Sequence, residues 1–212
     1  MEKRQGSEQA SGTLYVVSAP SGAGKTSLVR ALVEADPGTS LSVSHTTRPA
    51  RSGETDGVHY HFVDKSVFNA MHERGDFLEH ANVFGNGYGT SAGWVGEQLA
   101  CGVDVVLEID WQGARQVRAR MARSVGIFIL PPSRAELERR LRSRGQDDDV
   151  VIRQRTAQAG EELSHWGEFD YLVVNDEFAV ALQNLLAIVC AHRMRRPAQA
   201  GRQRELLAEL LE

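Results

Sequence analysis

The stretch Leu14-Tyr15-Val16-Val17-Ser18-Ala19-Pro20-Ser21-Gly22-Ala23-Gly24-Lys25-Thr26-Ser27-Leu28-Val29 decides the fold. Its first four residues form a continuous apolar run rich in β-formers, the pattern of a strand buried on both faces. A glycine-rich turn follows. Leu28, Val29, Leu32 and Val33 then recur at helical spacing until Asp36-Pro37-Gly38 stops them. Strand, glycine turn and helix are the setting of a phosphate loop, G-x-x-x-x-G-K-[ST], with Ala19 in the place of the first glycine. Small residues let the backbone wrap an anion so that successive N–H groups point at it, and the helix start adds partial positive charge. Lys25 can then reach the β- and γ-phosphates of a nucleotide, and the Thr26 hydroxyl can ligate Mg²⁺.

Outward from the loop, apolar strands recur at 103–109, at 125–130 before Pro131-Pro132, and at 171–174. Helical patterns at 111–122, 133–144, 150–164 and 177–193 separate them, and Ser133 with Glu136 has the form of a capping box. Buried strands alternating with helices predict an α/β fold with a parallel sheet covered on both faces. Residues 41–90 break the rhythm. Half-exposed strands at 42–44, 58–62 and 77–84 around a helix near 65–74 read as a small mixed insertion. Residues 133–165 are charged and helical, the composition of a lid. Seven arginines and five acidic residues lie between Arg134 and Arg155, so geometry there matters more than bulk field. The expected organisation is one domain over 12–195, with its core at 12–40, 91–132 and 166–195. The insertion is about 41–90, the lid about 133–165, and the tails are 1–11 and 196–212, the latter an amphipathic helix or a frayed end.

Composition fits this picture. The chain has 212 residues, a formal net charge of −4, 42% hydrophobic and 25% charged residues, near the globular average. A net negative balance argues against coating nucleic acid. No run approaches the length of a membrane span, and the start has no apolar leader, so a cytoplasmic protein without a membrane partner is expected, a monomer or small homo-oligomer. Cys101 and Cys190 lack any ligand spacing and are expected to be inert core thiols. His59 and His61 alternate about Tyr60 on a strand surface, with no third ligand to suggest a metal. Trp94, Trp111 and Trp166 read as packing residues.

A phosphate loop names the donor of a group, not its acceptor. Arg48 and Arg51 flank Pro49, which stiffens their turn, and two forked cations suit a dianionic phosphate. On its own such a pair reads first as solvated loop cations. The wider pattern decides. The segments 18–26, 42–54 with Tyr60 behind it, 77–90, 108–113, 130–133 and 140–145, with Arg155 and 174–176, together resemble the guanylate kinase family over residues 12–195. Ser42-Val43-Ser44-His45-Thr46-Thr47-Arg48-Pro49-Ala50-Arg51-Ser52-Gly53-Glu54 is the specific part. Ala19, His45 and Gly87 depart from the family's usual residues, the last standing where tyrosine is common.

The resemblance implies a three-layer P-loop NTPase core, a GMP-binding insertion, an arginine-bearing lid, and the reaction ATP + GMP ⇌ ADP + GDP with Mg²⁺, dGMP being a second acceptor. By the same carry-over, residues 19–27 hold the ATP phosphates and Asn175 the ATP base. Arg48, Arg51, Tyr60 and Tyr88 hold the GMP phosphate. Ser44, Glu79 and Thr90 read guanine, and Glu108 and Asp110 lie near the acceptor and the metal, with Thr26 and Asp110 as metal ligands. Lys25, Arg140, Arg144 and Arg155 bear on the transferring group. The chemistry agrees. Guanine presents N1–H and N2–H₂ donors that a carboxylate accepts, whereas adenine would set its N1 acceptor against Glu79. Two other readings compete: an interaction module of this family without catalysis, against which the intact Gly24-Lys25-Thr26 speaks, and a related P-loop kinase for another acceptor, which would lack Ser44, Glu79 and Thr90. For Glu108 and Asp110, capping of a strand end is the plain alternative.

Overall fold

The computed structural model describes residues 12–83, 85–143 and 149–212, and the side chains of all of these except 143 and 149–155. In chain order the elements are β1 Leu14–Ser18, α1 Lys25–Ala35, β2 Thr39–Leu41, β3 His45–Thr46, β4 His61–Phe62, α2 Lys65–Arg74, β5 Phe77–Val83, β6 Asn86–Ser91, α3 Ala92–Ala100, β7 Asp104–Glu108, α4 Trp111–Arg120, β8 Val125–Leu130, α5 Arg134–Ser143 and α6 Asp149–Ser164. After a 3-10 turn at Trp166–Glu168 come β9 Tyr171–Val174, α7 Phe178–Arg193, α8 Arg196–Arg202 and α9 Arg204–Leu211.

Five parallel strands run in the order β2-β7-β1-β8-β9. Alternate residues of β1 point to opposite faces. Tyr15 and Val17 pack with Leu28, Val29 and Leu32 of α1 and with Ala181, Leu185 and Val189 of α7. Leu14 and Val16 pack on the other face with Val95 and Leu99 of α3 and Val117 of α4. Both sets are almost wholly buried, which stabilises by roughly 1.5–3 kcal/mol per large side chain. This is the expected three-layer α/β architecture.

A second sheet, β4-β3-β6-β5, carries residues 45–91. Its strands are shorter than the alternation at 42–44 and 58–62 predicts, because 42–44 lead out of the main sheet, with the Ser42 N–H donating to the Val106 carbonyl at 3.0 Å. The β5–β6 ladder pairs Phe77 with Ser91 but Glu79 with Thr90, a bulge that spends one extra residue, Leu78, on β5. The bulge turns the Glu79 carboxylate onto Thr90, a common use of bulges beside functional sites. Gly87 is explained here too. A Cβ at Gly87 would lie 2.7 Å from the Phe68 ring, which fills the space a larger residue would take.

α5 and α6 pack together through Leu137, Leu141, Ala159 and Leu163, a small apolar cluster separate from the two that clothe the sheet. The serine half of the capping box forms, the Glu136 N–H donating to Ser133 Oγ at 3.1 Å, while the Glu136 carboxylate binds Arg139 and Arg140 instead. The tail expected over 196–212 is helical in α8 and α9. Two expectations need correction. Cys101 and Cys190 are exposed thiols, since each falls on a solvent-facing position near the end of α3 or along α7. Trp166 is half exposed. Residues 92–100 also form a helix, α3, whose two glycines and two alanines leave little helical signal in the sequence.

Candidate active site

Ligands of parallel α/β sheets bind beyond the carboxyl ends of the strands, and the chemistry of this chain gathers there. β1 ends at Ser18 and passes into the loop 19–24, which enters α1. Gly22 and Gly24 have φ of +90° and +91°, a conformation that L side chains rarely adopt. Gly24 is doubly required, because a Cβ there would lie 2.3 Å from Asn175 Nδ2. Asn175 is buried, and this nitrogen donates to the Ala23 carbonyl at 2.7 Å. Leu137 and Leu141 of α5 pack against Gly22.

Lys25 opens α1, half-buried, its ammonium donating to the Ile109 carbonyl at 2.9 Å. Burial pushes its pKa down, and Glu108, Asp110 and Glu162 pull it back up. The Thr26 hydroxyl donates to Glu108. Asp110 caps α4, accepting from the Gly113 N–H at 2.8 Å. The capping alternative therefore describes Asp110 correctly, yet its charge also reaches Lys25 on one side and Glu79 on the other.

Glu79 is 5% exposed and accepts from the Thr90 hydroxyl at 2.5 Å. Burial is the largest cause of its raised pKa, the Thr90 hydrogen bond opposes it, and Asp110 adds to it. Gly113 makes room for this carboxylate, since a Cβ there would sit 3.1 Å from Glu79 Oε2. Beside this pair lies a second cluster. Arg48 donates through Nη2 to Glu54 at 2.8 Å and through Nη1 to the Pro49 carbonyl at 2.7 Å. Its guanidinium stands 5.5 Å from the Tyr60 ring, and Tyr60 meets Tyr88 edge-on at 5.8 Å. The Arg51 N–H donates to the other Glu54 oxygen at 2.7 Å. These bonds hold the Glu54 carboxyl near a pKa of about 2.

Most residues singled out from the sequence thus meet at one end of the sheet. Ser44 borders β3, its carbonyl accepting the His61 N–H at 2.9 Å. Arg140 donates from α5 to Glu136 at 2.7 Å and to the Asn175 carbonyl at 3.1 Å, which sets it beside the phosphate loop. Arg155 lies in α6, its side chain outside the described set, and Arg144 and the acidic pair Asp147-Asp148 lie outside the described residues. Sequence reasoning missed Glu54 and Glu162. Glu54 had a local signal, three residues after Arg51 on the same stiff turn. Glu162 had none: it contacts Ser21 across 141 residues of chain. Among the described residues no group of three or more His, Cys, Asp or Glu is placed to hold a metal by itself, and no helix is long and apolar enough to cross a membrane.

Known proteins are similar to this chain along most of its length. The profile of the guanylate kinase family matches residues 11–192. Guanylate kinase of Alkalilimnicola ehrlichii is 62% identical over 200 residues, covering 94% of this chain and 97% of its own. That of Vibrio cholerae is 55% identical over 202 residues, covering 94% and 98%. The crystal structure of guanylate kinase from Anaplasma phagocytophilum superposes with a TM-score of 0.74 at 36% identity, covering 95% and 96% of the two chains. A phosphate loop with its lysine set beside two strand-end carboxylates, in a chain matched nearly end to end by these relatives, places the protein in the guanylate kinase family.

Proposed function

We propose that this chain transfers the γ-phosphoryl group of ATP to GMP or dGMP, with donor and acceptor held on either side of Asp110. The observation that carries this reading is the placement of Asp110 between the two halves: Lys25 donates to the carbonyl of the preceding Ile109, and the Gly113 whose N–H Asp110 accepts lies directly under the Glu79 carboxylate. A GMP oxygen attacks the γ-phosphorus, and the bond from that phosphorus to the β-phosphate oxygen breaks, releasing ADP and GDP. Such transfers need positioning and charge stabilisation more than covalent chemistry. The chain supplies both. Residues Ala19–Ser27 wrap the donor phosphates, and Lys25 neutralises them. Asn175 sets the loop and borders the ATP base. Arg48, Arg51, Tyr60 and Tyr88 hold the GMP phosphate, and Ser44, Glu79 and Thr90 take the guanine edge. Arg140, Arg144 and Arg155 bear on the transferring group from the lid, about 133–165, as it closes over the insertion, about 41–90, and excludes water.

Mg²⁺ suits the residues present. The Thr26 hydroxyl touches the Glu108 carboxylate, and Asp110 lies within electrostatic reach of Lys25 in the same site, a hard oxygen donor set. Thr26 and Asp110 would hold the ion when ATP is bound, and it would supply charge neutralisation for the phosphates. We read the protein as cytoplasmic, a monomer or small homo-oligomer with nucleotides as its partners. The test is a coupled ADP-release assay with ATP·Mg²⁺ against GMP, dGMP, AMP, CMP and UMP. Turnover confined to GMP and dGMP is expected. GMP binding without turnover would move the protein to the non-catalytic interaction class.

A further inference from the structure

Glu162 has no part in the roles assigned above, yet its carboxylate touches the phosphate loop. It sits in the last turn of α6, and its Oε2 accepts the Ser21 N–H at 2.8 Å. A carboxylate beside a loop built for polyphosphate is costly unless paired. Burial raises its pKa, with Asp110 and Glu161 adding to the rise, and the Ser21 N–H and the Lys25 charge oppose it. Three residues on, the His165 ring stacks on Trp111 with centroids 3.5 Å apart. Arg115 covers the Trp111 ring at 4.6 Å and forks onto Glu168 with two bonds of 2.6 Å. Trp111 directly follows Asp110. The end of α6 is therefore tied to the core at two points, the donor loop through Glu162 and the acidic strand end through His165. Leu163 joins α6 to Leu137 and Leu141 of α5, the residues that press on Gly22. The Ser21 contact therefore joins the α5–α6 pair directly to the phosphate loop.

We propose that Glu162 is a positioning residue for phosphoryl transfer, a latch that joins the closed lid to the Ser21 N–H and so fixes the phosphate loop when the lid arginines are in place. The inference rests on the lid reading given above. Ser21 lies near the start of the Ala19–Ser27 loop that wraps the donor phosphates, so holding its N–H fixes that end of the loop. The latch acts on the donor side alone, because no described contact of Glu162 reaches Arg48, Tyr60 or Tyr88.

The test is steady-state kinetics of Glu162→Ala and Glu162→Gln in the full chain, with ATP and GMP varied separately. Glu162→Ala is expected to lower kcat and raise the KM for ATP, together at least ~10-fold in kcat/KM, as for loss of a charge-assisted bond. The KM for GMP should stay within about twofold, a split that general loosening of the fold would not produce. Glu162→Gln keeps an oxygen acceptor for Ser21 and should recover most of the lost kcat. Unchanged kinetics in Glu162→Ala, or a glutamine variant as impaired as the alanine one, would overturn the latch. So would tighter ATP binding without loss of kcat, which would make Glu162 a stand-in for phosphate. Should Glu162→Ala not fold, amide exchange at Ser21 in the nucleotide-free wild type decides: protection supports the latch, and exchange at the rate of an open loop overturns it. A wild-type chain inactive toward GMP would instead sink the functional reading, so the two failures are distinct.

Discussion

Glu79 shows how a single side chain divides its contribution between stability and selectivity. Burial raises its carboxyl above the ordinary value of 4.5. The folded state then binds that proton more tightly than the unfolded chain does. It carries no penalty below about pH 4.5 and loses stability as pH climbs through the folded-state value. Glu79→Gln should accordingly melt above the wild type at pH 7, with the difference vanishing in acid; a lower melting temperature at pH 7 would contradict the sign. The same variant should lose preference for GMP over AMP, by ~10⁴-fold if the carboxylate alone sets it, because guanine's two donors lose their paired acceptor. Glu54 behaves in the opposite sense. Its pKa near 2 comes from Arg48 and the Arg51 N–H, so its contribution is present above about pH 4.5 and fades as pH falls toward 2.

Among the elements, glycine positions separate sharply. Gly24→Ala forces a side chain into a φ of +91° and onto the Asn175 amide, so it should cost about 2–4 kcal/mol in denaturant unfolding and weaken ATP binding with it. Gly96 is exposed in the middle of α3, where an added Cβ meets nothing within 4 Å, and Gly96→Ala should stabilise by about 0.5–1 kcal/mol. A destabilised Gly96 variant would show that α3 packs differently. The difference between these elements also marks what the sequence makes legible. β8 and β9 run over the residues their apolar runs predict, and α2 fills 65–74, because period and punctuation are local. β6 is rich in glycine and holds its place only by pairing with β5 and β3, so nothing local announces it. The site divides the same way. The phosphate loop and the arginine turn are contiguous motifs, whereas the bulge that aims Glu79 and the reach of Glu162 to Ser21 exist only after the chain has closed.

At the scale of the whole molecule, the apolar interior among the described residues is three clusters rather than one. Two clothe the central sheet, and the third, between α5 and α6, is small and rests on the core through Gly22 and the end of α6. Local opening should therefore cost less in α5 and α6 than in the sheet. Native-state hydrogen exchange is expected to show the amides of α5 and α6 exchanging well before those of β1, β7 and β8; equal protection throughout would mean that the three clusters unfold as one unit. The central place of β1 has a consequence of another kind. Leu14 pairs with Val105 and Tyr15 with Val125, so the first strand made is completed by strands roughly a hundred residues later. At about 5–20 residues per second, a ribosome leaves this apolar strand and its loop without partners for roughly 5–20 s. The newborn chain must therefore keep its most aggregation-prone segment shielded through much of translation, and nucleotide cannot help it fold until the later strands have emerged.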